Sequence, residues 1–161
     1  MSIKNLKPNR KSKFKQGYFN PINESKYIGQ GPIIFRSSWE RKFAIYCDNH
    51  PSIVEWSSEP FSIKYLSLYD NKVHKYYPDF YFKMYNDDTK LHEKYVVEVK
   101  PSSHLEKPKL PKRKTQKAIK NYNYLIKQYT MNVSKINALK HFAQERSYKV
   151  MLLTEKNWIL K

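Results

Sequence analysis

The hexapeptide YVVEVK, residues 95–100, has the composition of a buried strand, yet it carries a glutamate and a lysine two residues apart. Side chains alternate between the two faces of a strand. Tyr95, Val97 and Val99 therefore share one face, and Val96, Glu98 and Lys100 the other. Glu98 and Lys100 then stand on the same side, about 7 Å apart along the strand. One explanation is a solvent-facing edge-strand pair, which contributes little. The preceding segment offers another. In YPDFYF, residues 77–82, Phe80 and Phe82 point away from Asp79, so a second apolar strand carries a carboxylate on its far face. If the two strands are hairpin partners, Asp79 and Glu98 meet across them.

Working outward, RSSWERKFAIYCD (36–48) places Trp39, Phe43, Tyr46 and Cys47 on one helical face. Ser37 followed three positions later by Glu40 is a capping-box start for that helix. NHPSIVEWSSEP (49–60) reads as a loop anchored by apolar residues, and FSIKYLSLY (61–69) as a strand. DNK (70–72) reads as a hairpin turn, HKYYPDFYFKMY (74–85) as a second strand and EKYVVEVK (93–100) as a third. Pro101 stops that third strand, and a loop loaded with Lys and Pro follows. One helix is expected around Ala118, Ile119, Tyr122, Leu125, Ile126 and Tyr129, and another around Ile136, Leu139, Phe142 and Ala143. YKVMLLT (148–154) reads as a last strand and EKNWILK (155–161) as a short closing helix. The order α-β-β-β-α-α-β makes a single mixed α/β domain over 17–161, with 17–35 irregular and 1–16 a flexible basic arm.

Composition narrows the partners. Lys and Arg number 31 against 14 acidic residues, a formal charge of +17 in 161 residues. Small domains usually carry a net charge of about 2–8. A field of this size favours polyanions: nucleic acid or an anionic membrane surface. With 16% aromatic residues, nucleic acid is the better match. No apolar run approaches the roughly 20 residues of a membrane span, and the first fifteen residues lack the apolar core of a secretory signal. The single cysteine, Cys47, and five scattered histidines exclude a disulfide framework and argue against a zinc site. A reducing, cytosolic setting fits.

Two carboxylates and a lysine in a basic chain fit metal-assisted phosphodiester chemistry. Mg²⁺ takes hard oxygen ligands, usually one or two carboxylates with waters and substrate phosphate. Asp79, Glu98 and the carbonyl oxygen of Val99 are the candidate ligands for Mg²⁺ or Mn²⁺, with Glu40 as a further carboxylate, as the cap of its helix, or as both. Lys100 would orient the attacking water or stabilise developing negative charge. Candidate DNA contacts are Lys107, Lys109, Lys112, Arg113 and Lys114 in the loop, Lys117 beyond it, and Arg10, Lys11 and Lys13 in the arm. A non-catalytic DNA-binding protein uses the same basic segments. It gives no reason, however, to aim three carboxylates at a phosphate.

The ordered set RSSWERKFAIYCD, VEWSSEPFSIKY, HKYYPDFYF, VVEVKPSS and LLTEKNW resembles the PD-(D/E)xK nuclease superfamily. More closely it is similar to the head completion nucleases of large tailed phages, which look related to the endonuclease subunit of heteromeric bacterial transposases. The resemblance runs from about residue 27 to 158. It implies a restriction-endonuclease-like core and Mg²⁺-dependent cleavage of packaged or protruding DNA before head and tail join. Asp79, Glu98 and Lys100 form the implied catalytic set, joined by Glu40. Implied partners are DNA and phage head or neck proteins, with a homodimer as one assembly state, in the host cytoplasm or the virion. Gln116 falls where some members carry a helical glutamine, although a surface helix position explains it equally well.

Overall fold

The computed structural model describes residues 15–157 and, before them, Lys7, Pro8 and Lys13. Most of the expected basic arm, including Arg10 and Lys11, lies outside the described residues, as do 158–161 of the expected closing helix. Residues 155–157 are a turn.

Segment 17–35 is more ordered than its turn-rich composition suggests. Strand β1 (Gly17–Phe19) pairs antiparallel with β2 (Ile33–Phe35). The segment between them is fastened to the domain by a buried carboxylate. Asp48 accepts hydrogen bonds from the backbone N–H groups of Ile22 (2.7 Å) and Asn23 (3.1 Å). A contact between residues so far apart in the chain leaves no local pattern.

Helix α1 (Ser38–Asn49) starts where expected. The Ser37 side chain caps it, accepting from the Glu40 N–H at 3.1 Å. Strand β3 (Ile53–Ser58) lies inside the stretch expected to be a loop. Its polar letters are misleading: Trp56, Ser57 and Ser58 are all buried. Strands β4 (Ile63–Leu66) and β5 (Val73–Tyr76) form a separate two-stranded ribbon, and β6 (Phe80–Asn86) begins afresh beyond it. The expected continuous strand 74–85 is thus two strands. Proline has no N–H to give to a ladder, and the chain leaves one sheet and enters another across Tyr77, Pro78 and Asp79.

The main sheet has the order β3-β6-β7-β8, with β7 spanning Leu91–Val99 and β8 Lys149–Leu153. β7 pairs antiparallel with β6 and parallel with β8. It is paired on both sides, which accounts for its valines. Helix α2 (Gln116–Glu145) is one 30-residue helix where two were expected. It contains no Gly or Pro, and the polar residues near its middle serve tertiary contacts. Asn132 donates to the His104 carbonyl at 3.2 Å, and the Ser134 hydroxyl accepts from the Leu68 N–H at 3.1 Å. All of its buried residues lie from Asn132 onward. The apolar stripe over 118–129 is therefore not a core face, and Ile119 is 43% and Leu125 37% exposed.

Each face of the sheet is covered. On one, Phe43, Ala44 and Cys47 of α1 pack with Ile53, Trp56, Phe80, Phe82, Val97 and Leu153. On the other, Leu139 and Ala143 of α2 pack with Val96 and with Ile63, Tyr65 and Tyr76 of the ribbon. Burying a side chain such as Phe43 completely contributes about 1.5–3 kcal/mol. This mixed α/β arrangement is a restriction-endonuclease-like fold.

Candidate active site

The register of β6 against β7 pairs Phe80 with Val97. Continued by one residue, it sets Asp79 opposite Glu98. Asp79 Oδ2 accepts the Val99 N–H at 2.7 Å, so the carboxylate is locked onto the strand that carries Glu98 and Lys100. Lys100 Nζ lies 2.7 Å from Glu98 Oε1. Alternation on β7 places Val96 and Glu98 on the α2 face, and Val97 on the α1 face. The hexapeptide therefore holds its place with one set of side chains and displays charge with the other.

Glu40 reaches the same end of the sheet from the first turn of α1. Its carboxylate accepts from the Arg36 N–H at 2.7 Å and from the Ser37 hydroxyl at 2.9 Å. The capping role is real, and both carboxylate oxygens are engaged in it. A cleft of about 400 Å³ joins Glu40 to Val99, Lys100 and His104.

The charges are strongly interdependent. Burial, then the nearby Glu98 and Glu40, push the Asp79 carboxyl well above the usual aspartate range, against the opposing pull of Lys100 and the Val99 N–H. Burial likewise raises Glu40, with its cap hydrogen bonds working the other way. For Lys100, burial favours the neutral amine, but Glu98, Asp79 and Glu40 outweigh it and its pKa rises.

Neighbouring strand ends hold these groups in register. The Glu59 N–H, just past β3, donates to the Asp79 carbonyl at 2.9 Å. The Lys100 N–H donates to the Leu153 carbonyl of β8, also at 2.9 Å. Beyond β8, Glu155 accepts the Ser102 N–H at 2.9 Å and the Ser102 hydroxyl as well. Asn157 closes this turn, accepting from the Thr154 N–H and donating to the Leu152 carbonyl, each at 2.7 Å. EWSSEP and LLTEKNW, legible only as matching motifs, contain Glu59, which holds the Asp79 backbone, Leu153, which holds that of Lys100, and Glu155, which holds Ser102. Glu155 and Lys135 are site neighbours that sequence reasoning missed. Lys135 sits on α2 near Glu98, Asp79 and Lys100, and one lysine among 31 basic residues carries no local signal.

The other candidates are spread more widely. Lys107, Lys109, Lys112, Arg113 and Lys114 are exposed on the loop before α2, Lys117 in its first turn, and Lys13 is exposed near the described start. Lys107 and Lys109 border a cleft with Tyr124 and Tyr129, and His104 lines both this cleft and the one at Glu40. Gln116 is exposed at the start of α2.

The donor set suits a hard divalent cation in one respect and limits it in another. Glu98 Oε2 is buried and has no hydrogen-bond partner. An orphaned anionic oxygen is costly unless a cation or donor meets it. Among the described residues, however, no three His, Cys, Asp or Glu side chains gather into a metal cage. A site using Asp79, Glu98 and a backbone carbonyl leaves positions for water and phosphate, as Mg²⁺ sites usually do.

No helix among the described residues is long and apolar enough to cross a membrane. No solved structure matches the chain. The family model described as "TnsA-like endonuclease N terminal" matches residues 50–155, which include Asp79, Glu98, Lys100 and Glu155. The "Head completion nuclease" of Enterobacteria phage T4 is 32% identical over 140 residues, 86% of this chain and 90% of that protein. With the fold and the strand-end cluster in place, these matches show that the chain belongs to the TnsA-like endonuclease family and is a relative of the phage head completion nuclease.

Proposed function

We propose that the protein is a metal-dependent DNA nuclease of phage head completion, trimming or cutting packaged DNA before head and tail join. The observation that carries this reading is the meeting of Asp79, Glu98 and Lys100 at one sheet end, with an orphaned Glu98 oxygen among them. Membership of an endonuclease family supports it. The +17 charge supplies affinity for the phosphate backbone. Such contacts carry no sequence information, so cleavage has low sequence specificity.

Asp79, Glu98 and the Val99 carbonyl would hold Mg²⁺ or Mn²⁺, with Glu40 adding negative charge from its capped position. The ion, when bound, polarises the scissile phosphate and lowers the pKa of a bound water. Hydrolysis forms a bond from the water oxygen to phosphorus as a bridging P–O bond breaks. The Lys100 ammonium, held by Glu98, directs its remaining N–H donors at that water or at a non-bridging oxygen where charge develops. The Asp79–Val99 hydrogen bond keeps the carboxylate in place through the turnover. The match over 50–155 also favours a second reading, an endonuclease subunit of transposase type that needs a partner to act.

The test is cleavage of plasmid DNA with Mg²⁺ by the wild type, Glu98→Ala and Lys100→Ala. The expected result is cleavage lost in both variants while folding and most DNA affinity remain. Wild-type rates in either variant would refute the catalytic assignment, and a wild type that binds DNA without cutting it would favour the non-catalytic assembly protein.

A further inference from the structure

Lys135 is half-buried yet makes none of the ion pairs found among the described residues. Its ammonium lies 5.9 Å from the ring centre of Tyr65 and 5.8 Å from that of Tyr76. The Tyr76 hydroxyl donates to the Lys135 carbonyl at 2.9 Å, so the ribbon grips this turn of α2 by backbone and side chain together.

Its place in the fold follows from three contacts. Helix α2 connects β7 to the parallel strand β8 and so runs back against them. Leu139, one turn after Lys135, packs in one cluster with Val96. Asn132, about one turn before it, bonds the His104 carbonyl beyond the end of β7. Lys135 therefore lies over the stretch between them, where Glu98 and Lys100 face α2. Burial and the nearby Lys100 favour its neutral form, while Glu98 and Asp79 oppose them.

A cation in this position is costly for stability alone. A methionine fills much the same space beside the two tyrosine rings without desolvating a charge. The strand carboxylate Glu98 is already engaged by Lys100 at 2.7 Å. The two rings attract the ammonium but do not neutralise it. The site thus contains one lysine with a counter-ion and one without, on opposite elements.

We propose that Lys135 is a phosphate-binding residue of this site, its ammonium taking a backbone phosphate of the bound DNA as its counter-ion. The proposal rests on reading the site as a DNA nuclease. It adds a contact from α2 to those from the strands, so that the substrate backbone lies between the helix and the carboxylates. The tyrosines of the ribbon flank the ammonium at that place.

The test measures binding of a short DNA duplex in EDTA at several salt concentrations, using the wild type, Lys135→Met and Lys135→Arg. Methionine keeps the packing against the rings and removes the charge; arginine keeps the charge. The expected result for Lys135→Met is affinity about tenfold weaker and a dependence of log K on log salt shallower by about 0.9. Lys135→Arg is expected to retain the wild-type slope. A wild-type slope and affinity in Lys135→Met would overturn the proposal, as would Lys135→Arg behaving like Lys135→Met. If Lys135→Met does not fold, Lys135→Gln makes the same comparison. Binding is read without metal, so a wild type that never cleaves DNA removes the nuclease reading while the slope still decides the role of Lys135.

Discussion

The two faces of the main sheet are built from the same strands and hold opposite contents. The α1 face is aromatic and closed: Phe43 and Trp56 are fully buried, and Phe43 meets Phe80 edge-on at 5.0 Å between ring centres. The α2 face has a smaller apolar cluster, and beside it stand Asp79, Glu98, Lys100 and Lys135. Alternation makes this division possible, because each strand serves both faces at once. The difference teaches that most of the packing and most of the buried charge lie on opposite sides of one sheet, with Glu40 of α1 reaching the charged end. The aromatic face fixes the strands, and the charged face inherits their precision.

Changes on the two faces should therefore fail differently. The largest effect is expected from Phe43→Ala, which empties a site with no exposure and should cost about 3–5 kcal/mol of stability. The rate per folded molecule should stay near wild type, measured by chemical denaturation alongside cleavage. A rate falling out of proportion to the folded fraction would mean that the faces are not separable. Glu98→Ala and Lys100→Ala should do the reverse, with the rate falling by about 10²–10³-fold and the fold retained.

A smaller effect is expected from Glu155→Gln. Glu155 lies just past β8 and holds Ser102, two residues beyond Lys100. Its carboxylate is exposed, and its pKa is lowered chiefly by the Ser102 hydroxyl and N–H. Cleavage should fall several-fold through kcat with KM and melting temperature little changed. An unchanged kcat would show that Lys100 is seated without this clamp.

The smallest effect is one of sign. The Asp79 pKa in the folded chain stands above 3.8, and that of Glu40 above 4.5. The folded state holds these protons more tightly than the unfolded chain does. Their contribution to stability is fully present below those values and is lost as pH rises through the folded pKa values. Without metal, the melting temperature of Asp79→Asn should therefore exceed that of the wild type at neutral pH, and the gap should narrow toward acid. Added Mg²⁺ should raise the wild type alone. A melting temperature for Asp79→Asn below wild type at neutral pH would mean that the carboxylate is net stabilising without a cation.

Much of this division was legible in residues whose meaning is local. Alternation placed Glu98 and Lys100 together, and the spacing of Ser37 and Glu40 located the start of α1. Position 78 hid a change of sheet, because an alternating pattern continues through a proline even when hydrogen bonding does not. Asn132 and Ser134 fall between the two stripes read as separate helices, and their partners, His104 and Leu68, are distant in sequence. Lys135 was invisible for the same reason: its position depends on the fold, and its residue type is the commonest in the chain.

The seat of Lys100 also has a temporal meaning. Its backbone N–H is received by Leu153, and the next turn by Glu155. A ribosome adding about 5–20 residues per second produces these partners roughly 3–10 s after Lys100 itself. During that interval the nascent chain already contains Asp79, Glu98 and Lys100 but lacks the strand that aligns them. Until those partners emerge, the backbone contacts that seat Lys100 in the folded chain are missing.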